Sequence, residues 1–405
     1  MDQIVKPHHR LSRQVLDTGA IKALPARDWD VLSRETVTEN PAYSRQYVLA
    51  GLETIDAGAN VRAVTVSAGN ERLVGFFPFR RRILPPFPWP VAVGAQNIYQ
   101  FAGVPLASRQ CTDSVIGAWL DGLKAGTPCR YWALSNIDLD SSFLQSVQAQ
   151  LAARGLSLRV VTPYRRPTLT GKAGSSAAHS AQIIKKSRVK DIERNLRRLH
   201  GIGAVDFERA NEPEQVKQRI EQFLALEQSG WKGQNGTAFL SKDRDTEFAR
   251  MAFGGREGGP TVVDSLLLDG TPIAMSVNMS NGATLFTLKC AYDENYRKFS
   301  PGLVLEYLVV EEFFKSGAFT EMDASTTMDG HIIQEFWDSD KPMASVIIGP
   351  DDFRLDLLAR GWTALRDVRQ GLARLHPLKY LIQTYRKRFV GSYAAVALSV
   401  SWSMD

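Results

Sequence analysis

The stretch TVVDSLLLDGTPIAMSVNMSNGATLFTLKCAYDE, residues 261–294, constrains the fold of this chain more than any other. Asp269-Gly270 and Asn281-Gly282 each stand between strand-like runs, and such pairs supply the positive φ that a two-residue hairpin turn needs. The spacing predicts a three-stranded antiparallel meander with strands near 261–268, 272–280 and 283–291. Ser300-Pro301 then reads as a helix start, with Ser300 as cap and Pro301 in the first turn. That helix spans about 301–315, and a strand follows at 319–325. Meander, helix and strand make an α+β unit.

The helix mouth has its own chemistry. Arg297 and Lys298 precede it, and Gly302 removes a side chain where free amides point outward. Amides, helix dipole and two cations together suit an anion. The plainer reading is a capped core helix with solvated charges.

The 405 residues, 44% of them hydrophobic, are enough for two domains with their own cores. A net charge of +6 favours anionic partners without naming one. Cys111, Cys129 and Cys290 are scattered, with no C-x-x-C and no nearby His pair, so neither a metal nor a disulfide framework is expected. The N-terminus lacks the apolar stretch of a signal peptide, and no run approaches the roughly 18 apolar residues of a membrane span. A cytoplasmic location follows as the expectation.

Residues 1–20 read as a polar arm and 21–165 as a first domain. Its hairpin breaks at Gly69-Asn70, a Pro-rich surface loop covers Leu84 to Gly94, and helix 112–125, strand 130–136, helix 141–154 and strand 157–162 follow. Polar, breaker-rich sequence from Pro163 to Ser180 predicts a connection, with the linker at 166–182. The second domain, 183–350, opens with a helix at 185–200 carrying seven Lys or Arg against two acids. A second helix is expected from Asn211 as cap, Glu214 in the capping-box position, to Gly230. A helical tail, 351–405, places Arg386, Lys387 and Arg388 before an apolar stretch from Phe389 to Trp402. That stretch is too short to span a bilayer and suits peripheral contact with anionic lipid, or simply packing on the domain.

The basic helix at 185–200, LEQSGWKGQNGTAF (Leu226 to Phe239), DGTPIAMSV, LKCAYDENYRKFSPGLVLEYLVVE (Leu288 to Glu311) and EMDAS (Glu321 to Ser325) together resemble the GNAT acyltransferase superfamily, and within it the CelD/BcsL-type acetyltransferases of cellulose biosynthesis. The resemblance covers residues 180–340 well and the first half loosely. It implies two tandem GNAT-like domains with mixed central sheets flanked by helices, the arrangement of Fem-type transferases. It also implies acyl-CoA as co-substrate and an amine or hydroxyl of an envelope glycan or lipid precursor as acceptor. The family's phosphate-reading motif, R/Q-x-x-G-x-G/A, aligns with Arg297 to Gly302 and agrees only at its ends. An acyl carrier protein, an aminoacyl-tRNA donor and a non-catalytic scaffold in a polysaccharide-synthesis complex therefore stand as alternatives. Nucleic acid is a minority reading, because the basic helix lacks interleaved aromatics.

Acyl transfer needs a polarised carbonyl, a base and two substrates held together. Glu227, in the last turn of its helix, is the first choice of base, and Trp231 and Lys232 just beyond Gly230 line the same pocket or plug the core. Strict alternation puts Phe286, Leu288, Cys290 and Tyr292 on one face of the third meander strand and Lys289 on the other. Lys289 there meets a phosphate or an acceptor carboxylate, or is an edge cation. Tyr292 suits protonation of a leaving thiolate. Asp323, between apolar neighbours, needs a partner such as Lys289 or His331. His331 and Trp337 border the acceptor site. Arg297, Lys298, Ser300 and Gly302 form the donor phosphate site.

Overall fold

One mixed sheet runs through both halves of the chain. The computed structural model describes residues 11–69, 71–84, 87–171, 186–326, 336–337 and 339–374. The first half contains β1 (Leu11–Leu16), α1 (Thr18–Lys22), α2 (Ala26–Arg34), α3 (Arg45–Glu53), β2 (Val61–Ala68), β3 (Arg72–Ile83), β4 (Pro90–Gly94), β5 (Leu106–Ala107), α4 (Thr112–Lys124), β6 (Trp132–Asp138), α5 (Ser142–Leu151) and β7 (Leu156–Thr170). The second contains α6 (Lys186–His200), β8 (Val205–Ala210), α7 (Pro213–Ser229), α8 (Trp231–Gln234), α9 (Asp243–Phe253), β9 (Thr261–Leu268), β10 (Thr271–Met279), β11 (Thr284–Tyr292), α10 (Pro301–Ser316), β12 (Glu321–Asp323), β13 (Ser339–Pro350) and α11 (Phe353–Arg374).

The strand order is β1-β2-β3-β4-β6-β13-β7-β12-β11-β10-β9-β8, with β5 beside β3. The halves interlock: β13, from the second half, lies antiparallel between β6 and β7 of the first, and the far end of β7 pairs with β12. Five apolar cores lie among the described residues, and three of them build the two halves and their seam. One sits under α4 and α5 around Trp119, Trp132 and Phe143; one lies between α10, α6 and the sheet. The third joins the halves, packing Tyr47 and Phe101 against Phe223, Phe248 and Phe286. The meander forms, with the two-residue turn at Asp269-Gly270, both at positive φ. At Asn281-Gly282 neither residue has a positive φ and the ladder stops at Met279 and Phe286. The expected tight turn is replaced there by a wider loop whose Ala283 and Thr284 amides donate to the Glu39 carboxylate. Strand β9 is buried along its whole length because helices cover both sides.

Four local expectations are corrected. Residues 11–16 are an edge strand on β2, not an arm. Pro90–Gly94 of the expected loop is β4, whose Val91 and Ala92 are buried between β3 and β6. The polar run after Pro163 continues β7 as far as Thr170, and Arg166 and Thr168 in it are buried, so its polarity serves the interior. Helix α7 starts at Pro213 after Glu212 with no side-chain cap, so the Asn211–Glu214 box does not form. The tail beyond Arg374 lies outside the described residues. Among the described residues, no helix is long and apolar enough to cross a membrane and no group of side chains has a metal-site arrangement.

Candidate functional site

A β-bulge sets the geometry. In β11, Lys289 pairs with Val277 and Thr287 with Asn278, leaving Leu288 as the extra residue. The bulge turns the strand by one position, so strict alternation fails. Lys289 faces α7, whereas Tyr292 packs with Leu285 in the core under α10. Phe286 stays with Leu288 and Ala291 on the α7 side, and so does not share a face with Tyr292. Beyond Phe286, β11 runs past the end of the short β12, and the two strands pair only over Thr284–Phe286 and Glu321–Asp323.

At the end of β11 a cavity of about 480 Å³ opens between α7, α8 and the start of α10. Its wall includes Glu227, Trp231, Lys232, Tyr292, Arg297, Ser300, Gly302 and Glu306. The structure thus brings together seven of the twelve residues chosen from sequence. Trp231, half-exposed at 51%, stands at the rim, and its amide donates to the Glu294 carboxylate at 2.8 Å.

Glu227 is buried and fully engaged. Its Oε1 lies 2.8 Å from Lys289 Nζ and 3.5 Å from Lys232 Nζ, and its Oε2 accepts from the Phe239 amide at 2.8 Å. Lys232 also donates to the Cys290 carbonyl at 2.7 Å, tying α8 to β11. Burial pulls the Lys289 ammonium below its ordinary range, with Glu227 opposing. The ammonium sits 3.7 Å from the centroid of Phe239 and 5.8 Å from that of Tyr99, so the first half contributes a ring to this neighbourhood.

The helix mouth differs from the expected cap. Ser300 adopts a left-handed conformation, φ 50° and ψ 54°, and makes no side-chain cap bond. It ends the 3-10 turn over Glu294–Phe299, and that sharp reversal aims its side chain away from the first-turn amides. The Ser300 carbonyl accepts from Leu303 and Val304. Pro301 has no amide, so Gly302 supplies the first-turn donor open to a ligand. A Cβ on Gly302 would meet Tyr292 at 3.5 Å and the Cys290 sulfur at 4.0 Å, so anything larger than a methyl would enter the cavity. Arg297 is exposed on the cavity wall; Lys298 lies outside it, with its ammonium 5.0 Å from the Phe299 ring.

Glu306 was not singled out from sequence. It is the only acid in the apolar run PGLVLEYLVV and stands four residues after Gly302, a spacing that puts both on one helix face. That combination is the signal that could have found it. Trp337, buried, does not reach the cavity wall; its indole N–H donates to Glu306 Oε1 at 2.9 Å. Burial pushes the Glu306 carboxyl up to about 7, the Trp337 bond opposing and the charge of Asp264 adding to the rise.

Asp323 stands apart from the cavity. Its partners are Lys341 at 2.7 Å and Arg166 at 3.5 Å, not Lys289, because β12 lies beside β7 and next to β13. His331 falls outside the described residues.

Residues 186–331 match the family model described as acetyltransferase (GNAT) domain. The fold is similar to that of FemX, with a TM-score of 0.52 at 10% identity, covering 80% of this chain and 96% of that one. A conserved protein of unknown function from Bacteroides thetaiotaomicron covers 81% of this chain and 98% of its own, at 9% identity and a TM-score of 0.49. A tandem GNAT protein from the clavulanic acid biosynthesis pathway covers 84% and 99%, at 11% identity and a TM-score of 0.40. Curated proteins give no match. The chain therefore has an α+β fold similar to that of FemX, and residues 186–331, which hold the cavity, match the acetyltransferase (GNAT) model.

Proposed function

We propose that this chain is an acyltransferase that moves an acyl group from a pantetheine thioester, acyl-CoA, to an amine or hydroxyl. The acceptor belongs to a cell-envelope glycan or lipid precursor, met on the cytoplasmic side of the membrane; this part rests on the CelD/BcsL resemblance. One observation carries the donor assignment: a helix mouth with an open amide at Gly302 and a cation at Arg297 leads into a cavity walled by Leu226, Ala291, Pro301 and Leu303. The mouth suits a pyrophosphate and the apolar wall suits the arm and acyl chain that follow it.

The other residues take roles consistent with their contacts. Glu227 anchors Lys289 and Lys232 beside β11, and Lys232, on the cavity wall, favours negative charge developing on the thioester carbonyl. Tyr292, on the cavity wall, takes the role of proton donor to the departing thiolate. Trp231 closes the rim.

Calorimetric titration of acetyl-CoA and of a long-chain acyl-CoA into the wild type and into Gly302→Trp tests this. Wild-type binding that weakens about a hundredfold or more in the variant is expected. If neither thioester binds the wild type, the acyl-CoA reading falls, and charged tRNA, a carrier protein or a scaffold role takes its place.

A further inference from the structure

Resting on the acyl-transfer reading above, we infer that Glu306 is the proton acceptor of the reaction, held in its working orientation by Trp337. Two carboxylates line the cavity among the described residues, Glu227 and Glu306. Glu227 has both oxygens committed to two ammonium groups and an amide. Among the described residues Glu306 has one hydrogen-bond partner, the Trp337 indole on Oε1, and its side chain lines the cavity. The rise per residue of a helix puts Glu306 about 6 Å further along the axis than Gly302. A donor with its phosphates at the mouth would lay its thioester arm along this wall.

Among the described residues, the charged and titratable groups around Glu306 are Asp264 of β9, Cys290 and Tyr292 of β11, Arg297 at the mouth, and Glu227 with Lys232 across the cavity. Asp264 is itself paired with Arg209 at 2.7 Å. None of them offers a cation at hydrogen-bond distance to Glu306, and burial favours its neutral form, so the carboxylate can take a proton near neutral pH. A base that titrates near working pH is the efficient kind.

The step balances without a cofactor. The acceptor lone pair attacks the thioester carbonyl carbon, the C–S bond breaks with its electrons on sulfur, and the acceptor proton passes to Glu306. The thiolate takes a proton from the Tyr292 hydroxyl or water and leaves as free thiol, and solvent restores both groups.

The test combines binding with turnover. Calorimetry first confirms that Glu306→Gln binds the wild type's preferred acyl-CoA with unchanged affinity, which shows that the variant is folded. Thiol release is then followed across about pH 5 to 9, with water and with simple primary amines as acceptors. Loss of a base should slow release about a hundredfold or more and remove the rising limb near neutral pH. In Trp337→Phe the limb should move to higher pH with donor affinity kept, because the bond that favours the carboxylate is gone. A Glu306→Gln enzyme that releases thiol as the wild type does, or a wild type that binds donor and releases none, overturns the inference. Failure of the wild type to bind any thioester instead overturns the reading beneath it.

Discussion

The two halves each follow a run of antiparallel strands with a helix, and the two helix mouths are opposites. At α10, Pro301 and Gly302 leave a bare first turn with Arg297 exposed beside it. At α4, the first turn carries Asp113, whose carboxylate accepts from Ser146 and whose carbonyl accepts from Gln150, both on α5. The nearby cation, Arg109, is spent on the carbonyls of Arg34, Glu35 and Thr36. An acid in the first turn complements the dipole from within and repels an anion from outside. The same element therefore serves packing in one half and presents a binding surface in the other. What separates the two mouths is a handful of side chains rather than a difference in fold.

The largest expected effect concerns the seam between the halves. Arg166 of β7, Asp323 of β12 and Lys341 of β13 form a cluster in which Arg166 and Asp323 are almost wholly buried, and Lys341 also reaches Glu321 at 2.6 Å. Burial raises the Asp323 carboxyl, but Arg166 and Lys341 outweigh it and hold it below its ordinary range. A depressed carboxylate contributes stability that is present above its unfolded pKa and lost as pH falls through the folded one. Asp323→Ala strands the buried Arg166, leaves Lys341 with Glu321 alone, and should cost about 3–5 kcal/mol in denaturant unfolding near neutral pH. It should leave acyl-CoA affinity intact under folding conditions. A near-neutral unfolding result would mean that the halves are joined by their apolar core alone; loss of donor affinity in folded protein would restore Asp323 to the site.

A smaller effect separates the mouths directly. Arg297→Ala should weaken acyl-CoA binding about tenfold or more, the scale of one charge-assisted hydrogen bond. Arg109→Ala should leave it unchanged, and Lys298→Ala should change it less than Arg297→Ala because Lys298 lies off the cavity wall. Equal losses in Arg297→Ala and Arg109→Ala would erase the distinction between the halves.

Much of this was legible because local chemistry enforces it. Asp269-Gly270 fixes the first meander turn, and Pro301-Gly302 fixes the open mouth, so Arg297, Gly302, Tyr292, Trp231, Lys232 and Glu227 could be gathered from sequence into one place. The bulge at Leu288 has no glycine or proline to announce it, and missing it put Phe286 and Leu288 on the face of Tyr292. Asp323 was given the wrong partner because Lys341 and Arg166 reach it through a strand exchange between halves, which no local pattern encodes. Arg166 read as linker because polar residues usually mark solvent; here they neutralise a buried acid. Glu306 was overlooked because an acid in an apolar helix looks like a solvated position until the helix is seen to face a cavity.

The smallest effect needs no substrate and no activity. Glu306 titrates at about 7 in the folded chain against an ordinary value of 4.5, so between those pH values the folded protein holds a proton that the unfolded chain releases. The sign is the reverse of that for Asp323: stability is fully present below the unfolded pKa and declines as pH rises towards the folded one. The wild type should therefore lose roughly 1–3 kcal/mol between about pH 4.5 and 7.5 from this group, the lower end applying because the side chain meets solvent in the cavity. Glu306→Gln, which cannot ionise, should remove that decline, so the difference in unfolding free energy between variant and wild type should grow with pH and level off above about 7. A difference that stays constant across the range would show that Glu306 ionises as it would in water. The cavity in the second half would then be as ordinary, electrostatically, as the closed mouth of the first.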